Sequence, residues 1–270
     1  MRWPPLKRQG YLVHYEVRSL ILALNFLTVI PLKKIKIEDE KILSHSCAYF
    51  PVIGLLIGLS LYLIGKGASC IFSYSISSSI LITYIYLITG ALHLDGLSDT
   101  TDALLMRPGV TRSERISVMK DSRVGVMGVM GIIVVILLRY SSFKFIMERH
   151  AFLYLAMMPV ISRWILTTSI YHGNPARGEG LGHSFMKDFK SKDLWISTFI
   201  LVLIVSLFSI IFKDPIIFGI ILFLYIISIL LIRLFDMVFG GINGDNLGAI
   251  VEVSEVIFLL SVSALLSMIK

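Results

Sequence analysis

Seven apolar stretches, each near 20 residues long, limit the folds that are available to this 270-residue chain. A helix needs about 20 mostly apolar residues to cross a hydrocarbon core of roughly 30 Å. Charged residues make up only 16% of the sequence, against about 25% in a typical soluble domain. We therefore predict an all-α, polytopic membrane helical bundle with about seven transmembrane helices, at 46–65, 70–92, 124–147, 151–171, 194–212, 215–232 and 247–269.

The first 32 residues do not supply another span. Residues 1–18 are basic and are expected to form a poorly structured N-terminal extension. The apolar stretch at 19–32 is only 14 residues long and ends near Pro31, so it is predicted to be an interfacial or re-entrant half-helix. We expect two parts, the extension 1–18 and a single transmembrane domain at 19–270 that carries the catalytic groups described below.

The distribution of Lys and Arg predicts the orientation of the bundle. If 19–32 does not cross the membrane, 18 of the 25 Lys and Arg residues lie on one side, 6 lie on the other, and Arg163 lies inside a span. Short cytoplasmic loops carry the excess of these residues, so the larger set marks the cytoplasmic side. The same bias accounts for the net charge of +7 without a nucleic-acid partner.

The sequence HLDGLSDTTD, residues 93–102, places three carboxylates at the cytoplasmic end of a predicted span. If the helix continues, Asp95, Asp99 and Asp102 lie at i, i+4 and i+7 and share one face. Two carboxylates about 6 Å apart repel each other by about 3 kcal/mol at an effective dielectric constant of about 20. A cation would relieve this repulsion, and oxygen ligands alone favour Mg²⁺ or Mn²⁺ over zinc.

One ion cannot easily contact all three aspartates, because the helical rise from Asp95 to Asp102 is about 10 Å. We therefore expect one or two ions whose coordination is completed by phosphate oxygens. The alternative, a solvated helix end, is less favoured because small polar residues surround the acids and would let a ligand approach closely. His93 is either a substrate contact or a hydrogen-bonded structural histidine.

Basic residues follow the acids in the same loop. Lys120 and Arg123 bracket Asp121 beside the third span, and Lys and Arg are the side chains that neutralise phosphate groups. The alternative for such residues is membrane anchoring. We interpret Lys120 and Arg123 as candidate phosphate-binding residues and Asp121 as a candidate general base.

The second loop, YHGNPARGEGLGHSF at 171–185, contains four glycines together with Arg177, Glu179 and His183. Such a backbone can wrap around a ligand, although it is also compatible with an ordinary connector. Arg163 in the preceding span is a stronger signal, because a charge inside the membrane usually faces a polar cavity or a partner. Arg163, Arg177 and Glu179 are therefore candidate substrate-binding residues.

The third loop, GGINGDNLGAIVEVSEVIFLL at 240–260, carries a second acidic set. Both sets lie on the predicted cytoplasmic side, which predicts a composite metal site between helices. The residues of this loop with candidate roles are Asp245 as a metal ligand, Glu252 as an alternative general base, and Asn243 and Asn246 as substrate contacts; Glu255 lies on the same helix face as Glu252.

Two classes of function fit these acids. One is a membrane enzyme that acts on a pyrophosphate substrate with Mg²⁺, and the other is an ion-coupled membrane transporter, which also uses acids inside the membrane. The acids lie at cytoplasmic ends and not at the mid-membrane depth expected of transport sites, and basic residues accompany them. Both points favour the enzyme.

The segments TGALHLDGLSDTTDAL, ISVMKDSRVGVMGV, ARGEGLGHSF and GGINGDNLGAIVEVSEVIFLL closely resemble the cobalamin synthase family, also called adenosylcobinamide-GDP ribazoletransferase. NFLTVIPL and YFPVIGLLIG resemble the opening of that family, and the match covers roughly residues 19–270. Because four separate motifs occur in order and at matching spacing, the resemblance is specific.

The resemblance implies the last assembly step of cobalamin, vitamin B12. The expected substrates are adenosylcobinamide-GDP and α-ribazole or α-ribazole 5′-phosphate, and the products are adenosylcobalamin or its 5′-phosphate and GMP. The expected cofactor is Mg²⁺, held by Asp95, Asp99, Asp102 and Asp245. The expected location is the plasma (inner) membrane, with the active-site loops in the cytoplasm. The oligomeric state stays open, a homo-oligomer included.

Overall fold

The computed structural model describes residues 6–30, 32, 40–121, 123–176 and 180–268. The regular structure of these residues is helical, apart from a single bridge between Pro175 and Ile242. The helices are α1 (Leu6–Leu27), α2 (Glu40–Ser46), α3 (Phe50–Ile71), α4 (Tyr74–Thr89), α5 (Leu92–Leu104), α6 (Arg112–Val118), α7 (Val126–Glu148), α8 (Leu153–His172), α9 (Leu181–Lys187), α10 (Ser191–Phe212), α11 (Ile216–Phe239) and α12 (Gly244–Met268).

Among the described residues, six helical segments are long and apolar enough to cross a membrane. A seventh crossing results if α4 and α5, which meet at a bend of 91°, are counted together. The prediction of an all-α, polytopic membrane bundle is confirmed. The six segments are Lys41–Ile71, Val126–Glu148, Leu153–His172, Ser191–Phe212, Ile216–Phe239 and Gly244–Met268.

Several predicted span boundaries are wrong. The first span is predicted to end at residue 65 and the second to begin at residue 70, but α3 continues through Lys66 to Ile71 and α4 begins at Tyr74. The span predicted to end at residue 232 corresponds to α11, which continues to Phe239. The Ser73 hydroxyl caps α4 by accepting the backbone N–H of Ile76. Gly65, Lys66 and Gly67 resemble a loop in sequence, but they are helical and lie near the end of α3, where a lysine can extend its charged group to the membrane surface.

The N-terminal region is more regular than expected. Residues 19–27 are helical as predicted, but the helix begins at Leu6, so the expectation of a poorly structured segment is wrong for residues 6–18. At 22 residues, α1 is not among the helices apolar enough to cross. Pro31, the expected end of the half-helix, lies outside the described residues.

Helix α8 forms the centre of the bundle, because 89% of its 18-residue apolar stretch is buried inside the protein. Its closest partner is α3, whose backbone approaches α8 directly at two glycines. A Cβ at Gly54 would overlap the backbone of Pro159, and one at Gly58 would overlap that of Ala156. Small residues permit this close approach between membrane helices.

The order of the crossings brings the three motif regions to one end of the bundle. If α4 and α5 are counted together as one crossing, α9 and the start of α12 both follow an even number of crossings after residue 40, and α5 is the end of the second crossing. Gly182 of α9 lies against the backbone of Asn243 and Gly244, and Gly248 of α12 lies against His93 of α5. Residues far apart in sequence therefore meet at this end.

Candidate active site

The acidic helix begins at a sharp break in the chain. Gly90 and Ala91 both adopt left-handed backbone conformations, with φ of 62° and 53°. This break turns α5 by 91° from α4. The prediction that Asp95, Asp99 and Asp102 lie on a helix is confirmed, but this helix is separate from the preceding span.

Helix α12 crosses α5 beside Asp95 and Asp99. A Cβ at Gly96 would lie 2.7 Å from the backbone oxygen of Asp245, so only glycine permits this approach. Asp99 interacts electrostatically with Asp95, Asp102 and Asp245. The structure thus brings together the four carboxylates that the two acidic motifs predicted.

Asp102 differs from the other three acids, because its carboxylate caps α7. Its two oxygens accept the backbone N–H groups of Gly125 at 2.7 Å and Gly128 at 2.8 Å. These are unpaired donors in the first turn of a helix, where a negative charge is favourable. Asp102 therefore joins α5 to α7 as well as facing Asp99.

The two asparagines of the third motif hold α12 in place. The side-chain oxygen of Asn243 accepts the backbone N–H of Asn246 at 2.9 Å, and the Asn246 amide donates to the hydroxyl of Thr100 on α5 at 3.2 Å. Asn243 also donates to Asp245 at 3.3 Å. Asn246 is fully buried, so the structure does not favour its predicted role as a substrate contact; its side chain instead links α12 to α5.

The donor set fits a hard cation that also binds phosphate. Within the part of the chain that the structure describes, no three His, Cys, Asp or Glu side chains are arranged as a ready-made metal site. Mg²⁺ does not need one, because it is usually bound by one or two carboxylates, waters and substrate phosphates. Asp95, Asp99 and Asp245 are the carboxylates at this end of α5 and α12 that could supply one or two such ligands.

A cavity of about 330 Å³ lies beside these acids. It is closed by residues from all three motifs and from α1, α6, α8 and α11. Its polar lining includes His93, Asp95, Lys120, His183, Asn243 and Asp245, and its apolar lining includes Phe26, Leu166, Ile170, Phe185, Phe239 and Ile242. The predicted grouping of Lys120 with the acids is therefore present in the structure.

Two histidine nitrogens in the cavity wall have no hydrogen-bond partner among the described residues. They are Nε2 of His93 and Nδ1 of His183, and both are buried. A buried polar atom without a partner is costly, and both residues line the cavity. The arrangement favours the interpretation of His93 as a substrate contact.

Asp121 and Arg123 lie apart from the cavity lining. They bind each other, with the Arg123 guanidinium 2.6 Å from the Asp121 carboxylate, and the Arg123 side chain is 88% exposed. Hydrogen bonds from Arg123 lower the pKa of Asp121 to about 2. A carboxylate with so low a pKa is a poor proton acceptor near pH 7, so the structure does not favour Asp121 as a general base.

Arg163 and Glu252 lie in a buried ionic network and not in the cavity wall. Arg139 of α7 pairs with Glu252 at 3.0 Å and with Glu255 at 2.7 Å, and Arg163 of α8 pairs with Glu255. The Tyr86 hydroxyl of α4 donates to Glu252. The network joins four helices, with Arg163 paired to Glu255 and Glu252 paired to Arg139.

Sequence reasoning missed the role of Arg139. It was counted among the charges on the far side of the membrane, but it is fully buried within α7. The signal was present, because Arg139 lies 13 residues after the start of a span. Arg177 and Glu179, the remaining candidates, lie outside the described residues.

Comparisons with known proteins identify relatives over almost the whole chain. The model of the cobalamin-5-phosphate synthase family matches residues 19–263. A protein of Thermodesulfovibrio yellowstonii, named adenosylcobinamide-GDP ribazoletransferase, is 38% identical over 90% of this chain and 95% of its own length. Proteins of the same name from Alkaliphilus oremlandii and Caldanaerobacter subterraneus are 35% and 33% identical, over 94% and 93% of this chain and 100% and 99% of their own.

No solved structure matches the chain. The family match and the relatives agree with the family resemblance of the four motifs. The described helices form the multi-pass membrane bundle that the sequence predicts. The chain belongs to the cobalamin-5-phosphate synthase family and is a multi-pass membrane transferase of cobalamin biosynthesis.

Proposed function

We propose that this enzyme joins adenosylcobinamide-GDP to α-ribazole or α-ribazole 5′-phosphate, and that it depends on Mg²⁺. The observation that supports the proposal most strongly is the meeting of the α5 and α12 carboxylates beside a cavity that also contains Lys120. Relatives that are 31–38% identical carry the name of this reaction.

In this reaction a ribazole hydroxyl loses its proton and attacks the phosphorus next to the cobinamide arm, a new P–O bond forms, and the pyrophosphate bond to GMP breaks, so that GMP and the proton are released. Phosphoryl transfer depends mainly on positioning and charge neutralisation. Asp95, Asp99 and Asp245 would hold Mg²⁺, which supplies positive charge to the pyrophosphate when bound. Lys120 adds a cation from the cavity wall, and the Asn243–Asn246 pair fixes Asp245.

The carboxylates of Glu252 and Glu255 in α12 are structural. Glu252 and Glu255 are paired with arginines, so they are engaged in a structural network and are not open coupling sites. This pairing favours the transferase over the ion-coupled transporter. We further propose that the protein lies in the plasma membrane with this site on the cytoplasmic side, as the Lys and Arg bias predicts.

The direct test is release of GMP by the purified full-length protein in detergent, with both substrates and Mg²⁺. We expect turnover with both substrates, and none when EDTA removes the metal or when α-ribazole is omitted. A protein that folds but releases no GMP with Mg²⁺ or Mn²⁺ would contradict the enzymatic proposal. Substrate-dependent ion flux in liposomes without GMP release would support the transporter instead.

A further inference from the structure

The cavity has an apolar wall that neither phosphates nor a metal ion would use. Phe26 of α1 and Phe185 of α9 line it, with ring centroids 4.5 Å apart. Leu166 and Ile170 of α8 add aliphatic side chains that are at most 3% exposed. Aromatic and branched side chains around an enclosed space form the usual surface for a planar, apolar ring.

The size of the cavity narrows the choice of ligand. At about 330 Å³ it lies at the lower end of the range for small-molecule sites. A corrin ring with its side chains is much larger than a nucleoside, so most of it would lie outside this space. Among the parts of the two proposed substrates, a base with its ribose matches the size of the cavity best, and this is either guanosine or α-ribazole.

The apolar part of the wall separates these two nucleosides. The edge of guanine carries several hydrogen-bonding groups, and each one that is buried without a partner is unfavourable. The dimethylbenzimidazole of α-ribazole has no exocyclic polar group and one free ring nitrogen. Phe26, Phe185, Leu166 and Ile170 offer no side-chain hydrogen bonds, so they match dimethylbenzimidazole.

The remaining polar atoms of the wall are also suitable. Nε2 of His93 and Nδ1 of His183 are buried and lack partners among the described residues, and both residues line the same cavity. The free ring nitrogen and the ribose hydroxyls of α-ribazole would supply those partners. The acids of α5 and α12 border the cavity as well, which places a bound acceptor next to the proposed pyrophosphate position.

We infer that this cavity is the acceptor site, where the benzimidazole ring packs against Phe26, Phe185, Leu166 and Ile170 while His93 and His183 bind its polar atoms. The inference rests on the proposed function. The cobinamide part and the guanosine of the donor then lie outside the apolar part of the cavity. Specificity for the base is set by the shape of this wall.

Leu166→Ala tests the assignment, with Leu155→Ala as the matched control. Both leucines are buried in α8, but only Leu166 lines the cavity. We expect Leu166→Ala to raise the KM for α-ribazole about tenfold or more, as the loss of methylenes in an apolar pocket does. The KM for adenosylcobinamide-GDP should not change, and Leu155→Ala should change neither constant. Ile170→Val provides a milder variant if Leu166→Ala does not fold.

Equilibrium dialysis of α-ribazole against the wild type and the variants keeps this inference separate from the proposed reaction. Weaker binding in Leu166→Ala supports the site even if no GMP is released, a result that would contradict the proposed function alone. If the wild type turns over but Leu166→Ala and Ile170→Val leave α-ribazole binding unchanged, the proposed acceptor site is wrong and the proposed reaction stands. A rise in the KM for the GDP substrate in place of α-ribazole would assign the cavity to guanosine and overturn the inference.

Discussion

At the scale of single residues, the carboxylates of this protein form two chemically different groups. Glu252 and Glu255 are buried and paired with arginines. Asp99 and Asp245 instead interact with other carboxylates at the end of the bundle. Carboxylates can stay close together where a bound ligand compensates their charges. We therefore assign the proposed chemistry to the second group and a stabilising role to the first.

Asp99→Asn should separate these roles. We expect GMP release to fall by about two orders of magnitude or more, because the substitution removes a charge from the proposed metal site, while the thermal unfolding temperature in detergent stays near that of the wild type. Asp236→Asn, a change of an exposed aspartate in α11, is the control and should keep its activity. Near-normal turnover of Asp99→Asn would reject the metal-binding role.

Glu255→Gln tests the buried network. Removing one charge of a buried pair leaves the other uncompensated and typically destabilises a protein by about 3–5 kcal/mol. Glu148→Gln is the matched control, since Glu148 pairs with Lys144 at 3.9 Å on the surface and such a pair contributes at most about 1 kcal/mol. Equal unfolding temperatures for the two variants would show that the network does not stabilise the bundle.

The residue types of the site were predictable from sequence, but their partners were not. The spacing of Asp95 and Asp99 gives a shared helix face from local geometry alone. The pairing of Arg139 with Glu252 joins positions 113 residues apart, and no local pattern contains that information. Asp121 and Arg123 are only two residues apart, and here the sequence left open whether they bind each other or the substrate; the structure pairs them away from the cavity lining.

At the scale of helices, Asp102 connects two elements of the site. It lies on α5 and caps the first turn of α7, where Gly125 and Gly128 leave room for its carboxylate. In Asp102→Asn, one carboxylate oxygen becomes an amide group that cannot accept a backbone N–H.

We therefore expect Asp102→Asn to lose about 1–2 kcal/mol of stability, the usual value for a helix cap, in addition to activity. Thermal unfolding of Asp102→Asn and Asp99→Asn side by side distinguishes the two acids. If both variants unfold at the wild-type temperature, Asp102 does not act as a cap.

The contact between α3 and α8 depends on glycine. Gly58→Ala would drive a methyl group into the backbone of Ala156, and overpacking of this kind typically costs about 1–3 kcal/mol or more. Gly67→Ala lies in the same helix with nothing within 4 Å, so it should be neutral or stabilising. A Gly58→Ala protein that unfolds at the wild-type temperature would contradict this packing.

Element types were easier to predict than element ends. Apolar length is a direct consequence of membrane thickness, so the spans were found from sequence. The break at Gly90 and Ala91 was not, because Ala91 is a good helix former that adopts a left-handed conformation only in the tertiary context. The start of α1 was missed because its first turns are polar.

At the scale of the whole molecule, the bundle collects its motif regions at one end and its short turns at the other. In a Cys70→Ser background, where Cys47 is buried, Arg107→Cys and Lys213→Cys should report the two ends. We expect a membrane-impermeant maleimide to label Lys213→Cys in intact cells and Arg107→Cys only after the cells are opened. The reverse pattern would place the site on the outer face.

The architecture as a whole was available from the sequence, while the cavity was not. The apolar spans predicted the bundle, and the loop charges predict an orientation that the maleimide experiment tests. The cavity wall combines Phe26, Leu166 and Phe185, which belong to three helices and are indistinguishable in sequence from other apolar residues of those helices. Only the packed structure shows which apolar side chains face an empty space.

The glycine face of α3 lacks its partner helix during part of the protein's synthesis. Ala156 is added to the chain 98 residues after Gly58, which corresponds to about 5–20 s at about 5–20 residues per second. Throughout that interval the nascent protein holds a helix in the bilayer whose small-residue groove has no permanent occupant. Such a groove attracts any transmembrane helix that can approach closely. The contact with such close backbone approach in the finished bundle is therefore one that stays open to other helices while the ribosome is still translating α8.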